Sequence, residues 1–234
     1  MAINNNIYAH TYSGRLIDIA HFQKSDIDLR DISVSLSRQR RYGGHTAVPW
    51  TVAQHLTLCG VMADMMGCSD DDIKAVFLHD IEETWVQDVI FPIKRNLMLG
   101  RYDKICREIS DVVYDFFGLK DFFKSSDNKH MVECFDRAAY ILEAFTMVPG
   151  FVHDQNMFHD DVNSLVTTLV DKGFHIPQNL IDVDELEMAQ DMFEILNVWA
   201  AEKTLGAPIS SELPQGITIE GNFKVIEKGP EDVE

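Results

Sequence analysis

Cysteine is scarce and unpatterned in these 234 residues: Cys59, Cys68, Cys106 and Cys134 form no C-x-x-C spacing. That excludes a disulfide framework or a zinc knuckle and suits a reducing cytosol. Basic residues are also few, 20 Lys and Arg against 38 Asp and Glu, for a net charge of −18 and a pI near 4.7. Phosphate backbones need a basic surface, so a nucleic acid polymer is excluded as a partner. Small anionic substrates stay compatible, because metal ions and a few local Arg and Lys reverse the sign within a cleft. No apolar run approaches the roughly 18 residues of a membrane span. The opening Met1-Ala2-Ile3-Asn4-Asn5-Asn6 has neither a basic start nor an apolar core. Neither a membrane partner nor export is expected, and the expected location is cytoplasmic. Internal repeats and low-complexity linkers are missing too.

What is present is a 46% hydrophobic chain with helical periodicity nearly throughout, enough for one large domain with a sizeable core. Ile7 to Tyr12 and Arg15 to Ile19 flank Ser13-Gly14, a small hairpin pattern. A helix of about ten residues fits the later part of Asp26 to Arg40. It runs into the one dense basic cluster, Arg38-Gln39-Arg40-Arg41, which Tyr42-Gly43-Gly44 must break. Those arginines serve either as partners of the helix C-terminus or as grips for a phosphate, with the adjacent aromatic stacking on a base. Thr51-Val52-Ala53-Gln54 reads as a capping box that opens a helix closing at Gly67, with His55 in its first turn.

Ser69 caps the next helix, near Asp70, which is expected to carry Phe77-Leu78-His79-Asp80 onward. Over one turn His79, Asp80 and Glu83 then project toward one site, and the tight pair of helices brings His55 opposite His79 and Asp80. Alone, a His-Asp pair is most simply an ordinary helix histidine beside a solvated acidic face. Pro92 excludes a continuous helix and leaves Asp88 and Lys94 in or beside a loop, as reactive groups or surface charges. Tyr102 to Phe117, ending at Gly118, reads as an amphipathic scaffold helix. Asp127 to Met147 is a long helix bounded by Pro149-Gly150, and Asp136 sits among its apolar residues, poorly placed as a surface charge. Two more His-Asp pairs, His153-Asp154 and His159-Asp160, lie in a polar connection, where Asp160 suits a cap for a helix from Val162 to Val170. A last helix, Val183 to Lys203 after a cap at Asp182, bears an apolar stripe for core or for a subunit interface. A hairpin pattern over Ile217 to Glu227 and an acidic tail follow.

His55, His79-Asp80 and Asp136 therefore fall on separate predicted helices, and two histidines with two carboxylates suit Mn²⁺, Co²⁺, Ni²⁺, Fe²⁺, Zn²⁺ or Mg²⁺. In order and spacing the chain resembles the HD-domain metal-dependent phosphohydrolases, whose pattern is H…HD…D on a helical bundle. It is most similar to their 5′-deoxynucleotidase branch and its phage-encoded relatives, the dATP triphosphohydrolases included. The likeness rests on Arg41-Tyr42-Gly43-Gly44-His45-Thr46, Thr51-Val52-Ala53-Gln54-His55, Leu78-His79-Asp80-Ile81-Glu82-Glu83, Asp88, Phe91-Pro92-Ile93-Lys94 and Phe135-Asp136-Arg137-Ala138. It covers roughly Tyr12 to Pro149. Tyr42 stands where Trp or Phe is usual, and Gln87-Asp88 where Gly-Asp is usual.

The resemblance implies an all-α HD-domain bundle with small peripheral β-hairpins, forming a single domain over 1–234. Its core runs from about 12 to 205, with a C-terminal hairpin and acidic tail over 206–234. It implies His55, His79, Asp80 and Asp136 as metal ligands and Glu83 as the acid/base carboxylate. Asp88 orients the attacking water or helps hold a further ion, and Arg41, Tyr42 and Lys94 contact substrate. The expected activity is metal-dependent hydrolysis of a small deoxynucleotide in a bacterial or phage-infected cytosol, at a monophosphate or at a triphosphate. An idle HD scaffold that binds a nucleotide or protein, and a hydrolase of a cyclic or signalling nucleotide, are the alternatives. The stripe on Val183 to Lys203 makes a homo-oligomer the expected assembly.

Overall fold

The computed structural model describes residues 6–90, 93–94, 100–152 and 158–205. His153 and the 206–234 segment, with its expected hairpin, lie outside the described residues. The chain opens on strands β1 (Tyr8–His10) and β2 (Leu16–Asp18), antiparallel with Ala9 opposite Ile17. Gly14 turns between them at φ +81°, a left-handed conformation that glycine adopts without a Cβ penalty. Buried Asp31 fastens this hairpin to the body of the protein by accepting from the Ser13 amide at 2.6 Å and the Ser13 hydroxyl at 3.0 Å.

Among the described residues nine α-helices follow, and the architecture is all-α apart from the hairpin. They are α1 (Leu29–Arg38), α2 (Val52–Met65), α3 (Asp70–Phe77), α4 (Glu83–Val86), α5 (Arg101–Phe116), α6 (Ser126–Met147), α7 (Asp160–Asp171), α8 (Gln178–Asp182) and α9 (Glu185–Leu205). The centre is α2, in which every residue from Val52 to Gly60 is buried. A helix apolar all round is surrounded by other elements, and α1, α3, α6 and α9 pack against this one. Its start carries the expected capping box: the Gln54 amide donates to the Thr51 hydroxyl at 3.2 Å, and the Thr51 amide donates to Gln54 Oε1 at 2.8 Å. Gln54 Nε2 also donates to the Leu180 carbonyl at 2.7 Å, which pins α8 against the same end.

Several expected boundaries differ. The helix begun at Asp70 stops at Phe77, so His79 and Asp80 lie in the turn between α3 and α4. Leu78 leaves helical geometry at φ −97°, ψ 6°, and the chain proceeds through three-residue turns, Ile81 N to Leu78 O and Glu83 N to Asp80 O. The last long helix starts two residues later than expected: Val183, at φ −58° and ψ 132°, ends the short α8, and the Asp184 carboxylate accepts from the amides of Leu186 and Glu187 at 2.8 and 2.9 Å. Asp184 is thus the cap expected at Asp182. On α9 the apolar stripe is core, with Met188, Met192, Leu196 and Trp199 buried and Trp199 edge-on to Phe77 at 5.1 Å. At α7 the cap position is His159, and Asp160 lies within the first turn.

Candidate metal centre

Three segments converge on one point. The first turn of α2 supplies His55, fully buried; the turn after α3 supplies His79 and Asp80; and α6 supplies Asp136. One donor atom from each of the four lies within 4.8 Å of the others. His55 Nε2 is 3.3 Å from His79 Nε2 and 3.4 Å from Asp136 Oδ1. From His79 Nε2, Asp80 Oδ2 lies at 3.3 Å and Asp136 Oδ1 at 3.6 Å. Cys59, one turn along α2, places its thiol 3.7 Å from His55 Nε2 and forms a second, three-residue donor group with the histidines.

The orientation of both imidazoles is set from behind. His79 Nδ1 donates to the Val76 carbonyl at 2.7 Å, and the Tyr114 hydroxyl holds the His79 carbonyl at 3.2 Å. His55 Nδ1 donates to Glu143 Oε1 at 2.6 Å. A carbonyl and a carboxylate only accept, so each neutral ring presents the lone pair of Nε2 to the other ring and to two carboxylates. Four electron-rich atoms in near contact need a positive charge among them. Without an ion the charge is a proton: burial disfavours charging His79, but Asp80 and Asp136 outweigh it and raise its pKa well above the ordinary value. Asp136 is resisted by burial yet held well below the usual carboxylate range by hydrogen bonds from His55 and His79. Donors about 2.1 Å from one tetrahedrally surrounded ion sit about 3.4 Å apart. The four separations of 3.3–3.6 Å, with all donors within 4.8 Å of one another, make His55, His79, Asp80 and Asp136 a candidate metal-binding cluster.

Around this cluster lie the other expected residues. Glu83, first in α4, is 3% exposed, and its Oε2 is buried with no hydrogen-bond partner among the described residues. Burial, reinforced by Asp80, Asp88 and Glu82, raises its pKa well above that of a free glutamate. Lys94 Nζ stands 4.0 Å from Glu83 Oε1. Asp88 follows Gln87, whose φ of +71° is left-handed, and burial and Asp80 raise its pKa against the pull of Arg41. Arg41 is 11% exposed, with Nη1 3.7 Å from Asp80 Oδ2 and Nε 3.4 Å from Glu143 Oε2. It remains charged: burial works against this, and Glu143, Asp80 and Asp136 more than compensate.

Tyr42 stacks on Tyr140 at 5.7 Å between ring centroids, and its hydroxyl donates to Glu143 Oε2 at 3.0 Å. Its φ of +56° is unusual for a residue with a Cβ and costs on the order of 1–3 kcal/mol. That backbone is held by a short antiparallel bridge between Arg40 and Thr51, with the Arg41 amide on the Trp50 carbonyl at 2.9 Å.

Sequence reasoning missed two residues. Glu143 is fully buried and touches His55, Arg41 and Tyr42. A signal for it existed, since it lies seven residues, or two helical turns, after Asp136 and is acidic between the apolar Leu142 and Ala144. Gln39 is the other. Its Nε2 donates to the Glu83 carbonyl and its Oε1 accepts from the Asp88 amide, both at 2.9 Å. Nothing local announces it, because these partners are 44 and 49 residues away.

No protein-family model matches the sequence. The chain is 31% identical over 112 residues to the uncharacterized protein YfdR of Escherichia coli K12. That stretch is 48% of this chain and 59% of the relative, so the match spans about three fifths of the relative's length.

Proposed function

We propose that the chain is a metal-dependent phosphohydrolase of small deoxynucleotides, built on the HD-domain plan that its sequence resembles. The observation that carries this reading is the meeting of His55, His79, Asp80 and Asp136, drawn from three separate segments, within 4.8 Å of one another. Beside them stand a buried carboxylate, Glu83, and an arginine only 11% exposed, Arg41.

The chemistry a divalent cation supplies in such a setting is Lewis-acid polarisation of a phosphoryl group and acidification of a water. The chain's own groups do the rest. Glu83, with its raised pKa, is the proton-handling carboxylate: it takes a proton from the attacking water and passes it toward the leaving group. Asp88, held by its backbone amide on Gln39, orients that water. Arg41 and Lys94 offset charge on the phosphate, and Arg41 comes to this task already charged and largely desolvated, where its interaction is stronger than in water. No covalent intermediate is needed, since the water is the nucleophile. The acidic overall surface is no obstacle to an anionic substrate, because Arg41 and Lys94 stand at this place and a bound cation would add to their charge.

Phosphate and triphosphate release from a panel of dNMPs and dNTPs, with Co²⁺, Mn²⁺ or Mg²⁺, tests the reading and separates its two forms. Release of phosphate from monophosphates makes the chain a 5′-nucleotidase, and release of triphosphate makes it a triphosphohydrolase. Absence of turnover on both panels with every metal would sink it.

A further inference from the structure

Glu143 has the burial and the partners of a functional group, yet lies too far back to meet a substrate. It is 0% exposed, and each of its oxygens is committed. Oε1 accepts from His55 Nδ1 at 2.6 Å; Oε2 accepts from the Tyr42 hydroxyl at 3.0 Å and faces Arg41 Nε at 3.4 Å. The two sides lead to different parts of the site. Through His55 the first reaches the four-donor cluster, and through Arg41, whose Nη1 lies 3.7 Å from Asp80 Oδ2, the second reaches the rim of the same cluster.

We infer that Glu143 is a positioning residue that serves both halves of the centre: one oxygen aims His55 Nε2 at a metal ion, and the other holds Arg41 beside the same spot for an anionic group. This rests on the reading that the cluster binds a divalent cation and that Arg41 faces a phosphate. The physical ground is the chemistry of a carboxylate, which has acceptors on both oxygens and no donor. A ligating histidine needs its far nitrogen protonated and anchored, and an acceptor there sets the tautomer and the ring angle. Arg41, a long side chain with rotamer freedom, needs a fixed counter-charge to hold one pose. An amide cannot serve both sides. With its oxygen toward His55, its NH₂ opposes the Arg41 N–H; with its NH₂ toward His55, the ring is driven to the tautomer whose Nε2–H points into the cluster.

The test uses the full-length chain and titrates Co²⁺ into wild type and Glu143→Gln, with circular dichroism confirming that both are folded. The expected result is Co²⁺ binding weaker by about tenfold to a hundredfold. A folded variant with wild-type affinity would overturn the His55 half. At saturating Co²⁺, inorganic phosphate is expected to bind several-fold more weakly to the variant, and unchanged phosphate affinity would overturn the Arg41 half. If the variant does not fold, ¹⁵N-histidine NMR of the wild-type protein loaded with Zn²⁺ decides instead. His55 should show a protonated, slowly exchanging Nδ1 and a metal-shifted Nε2, and the reverse pattern would overturn the inference. These readouts do not depend on turnover. A chain that binds Co²⁺ through this arrangement and hydrolyses no nucleotide would refute the proposed activity and leave Glu143's role standing, whereas a wild-type chain that binds neither ion would refute both.

Discussion

At the scale of single residues, the chemistry depends on which groups are left without a partner. Glu83 keeps one buried oxygen unpartnered among the described residues and a pKa raised by burial and by the carboxylates of Asp80, Asp88 and Glu82, so it is suited to carry a proton and not to bind an ion. Glu83→Gln is therefore expected to bind Co²⁺ as wild type does and to lose about 10²-fold or more in phosphate release. Calorimetry and a release assay on one preparation check it, and retention of both properties would refute the assigned role. A second residue gives a pH prediction away from the site. Asp191, half-buried on α9 with Glu187 and Glu194 one turn to either side, has its pKa pushed up to about 6 by burial and those neighbours. A carboxyl with a raised folded-state pKa favours folding below its unfolded value and loses that contribution as pH rises through the folded one. Asp191→Asn should thus leave the melting temperature unchanged near pH 4 and raise it above pH 6. A uniform shift across that range would contradict the assignment.

At the scale of elements, the site is held by short links between the ends of helices. The turn that carries His79 and Asp80 exists because α3 ends at Phe77, and a continuous helix would have aimed both side chains differently. Gln39, just past α1, bridges the Glu83 carbonyl at the start of α4 and the Asp88 amide beyond its end, while Ser35 Oγ accepts from the same side-chain NH₂ at 2.9 Å. Replacing it with Leu removes these bonds and strands the Asp88 amide in a half-buried place, while the Glu83 carbonyl keeps the Gln87 amide at 2.9 Å, at a cost of about 1–3 kcal/mol. Chemical denaturation should register that loss, and turnover should fall by more than Co²⁺ affinity, because Glu83 and Asp88 move and the four donors do not. Equal losses in both would indicate general loosening instead. Tyr42 was expected to stack on a base; within the chain one ring face lies on Tyr140 and the hydroxyl is tied to Glu143. Both contacts anchor the ring at the left-handed turn after Arg41, in which Tyr42 itself has a φ of +56°.

At the scale of the whole molecule, the donors come from positions 55, 79, 80 and 136, so one ion would tie α2, the α3–α4 turn and α6 together. Anything that binds only the folded state stabilises it by mass action, about 2.7 kcal/mol at a ligand concentration a hundred times Kd. Thermal unfolding should therefore shift upward with added Co²⁺, and Asp136→Asn should abolish the shift while leaving the metal-free protein folded. A Co²⁺-dependent shift that survived this substitution would place the ion elsewhere. Much of this was legible in the sequence, because it depends on local patterns: the Thr51 to Gln54 capping box, the Ser69 cap, the glycine ending at Gly118, the hairpin at Ser13-Gly14, and Asp136 stranded among apolar neighbours. Capping and periodicity are short-range effects, so residues a few positions apart disclose them. What only the tertiary structure decided is what comes from afar. Two imidazoles 24 residues apart face each other at 3.3 Å, a carboxylate at 143 sets the ring at 55, and an amide at 39 positions 83 and 88. Such contacts follow from how the helices pack, and packing brings together side chains whose spacing along the chain carries no periodic signal.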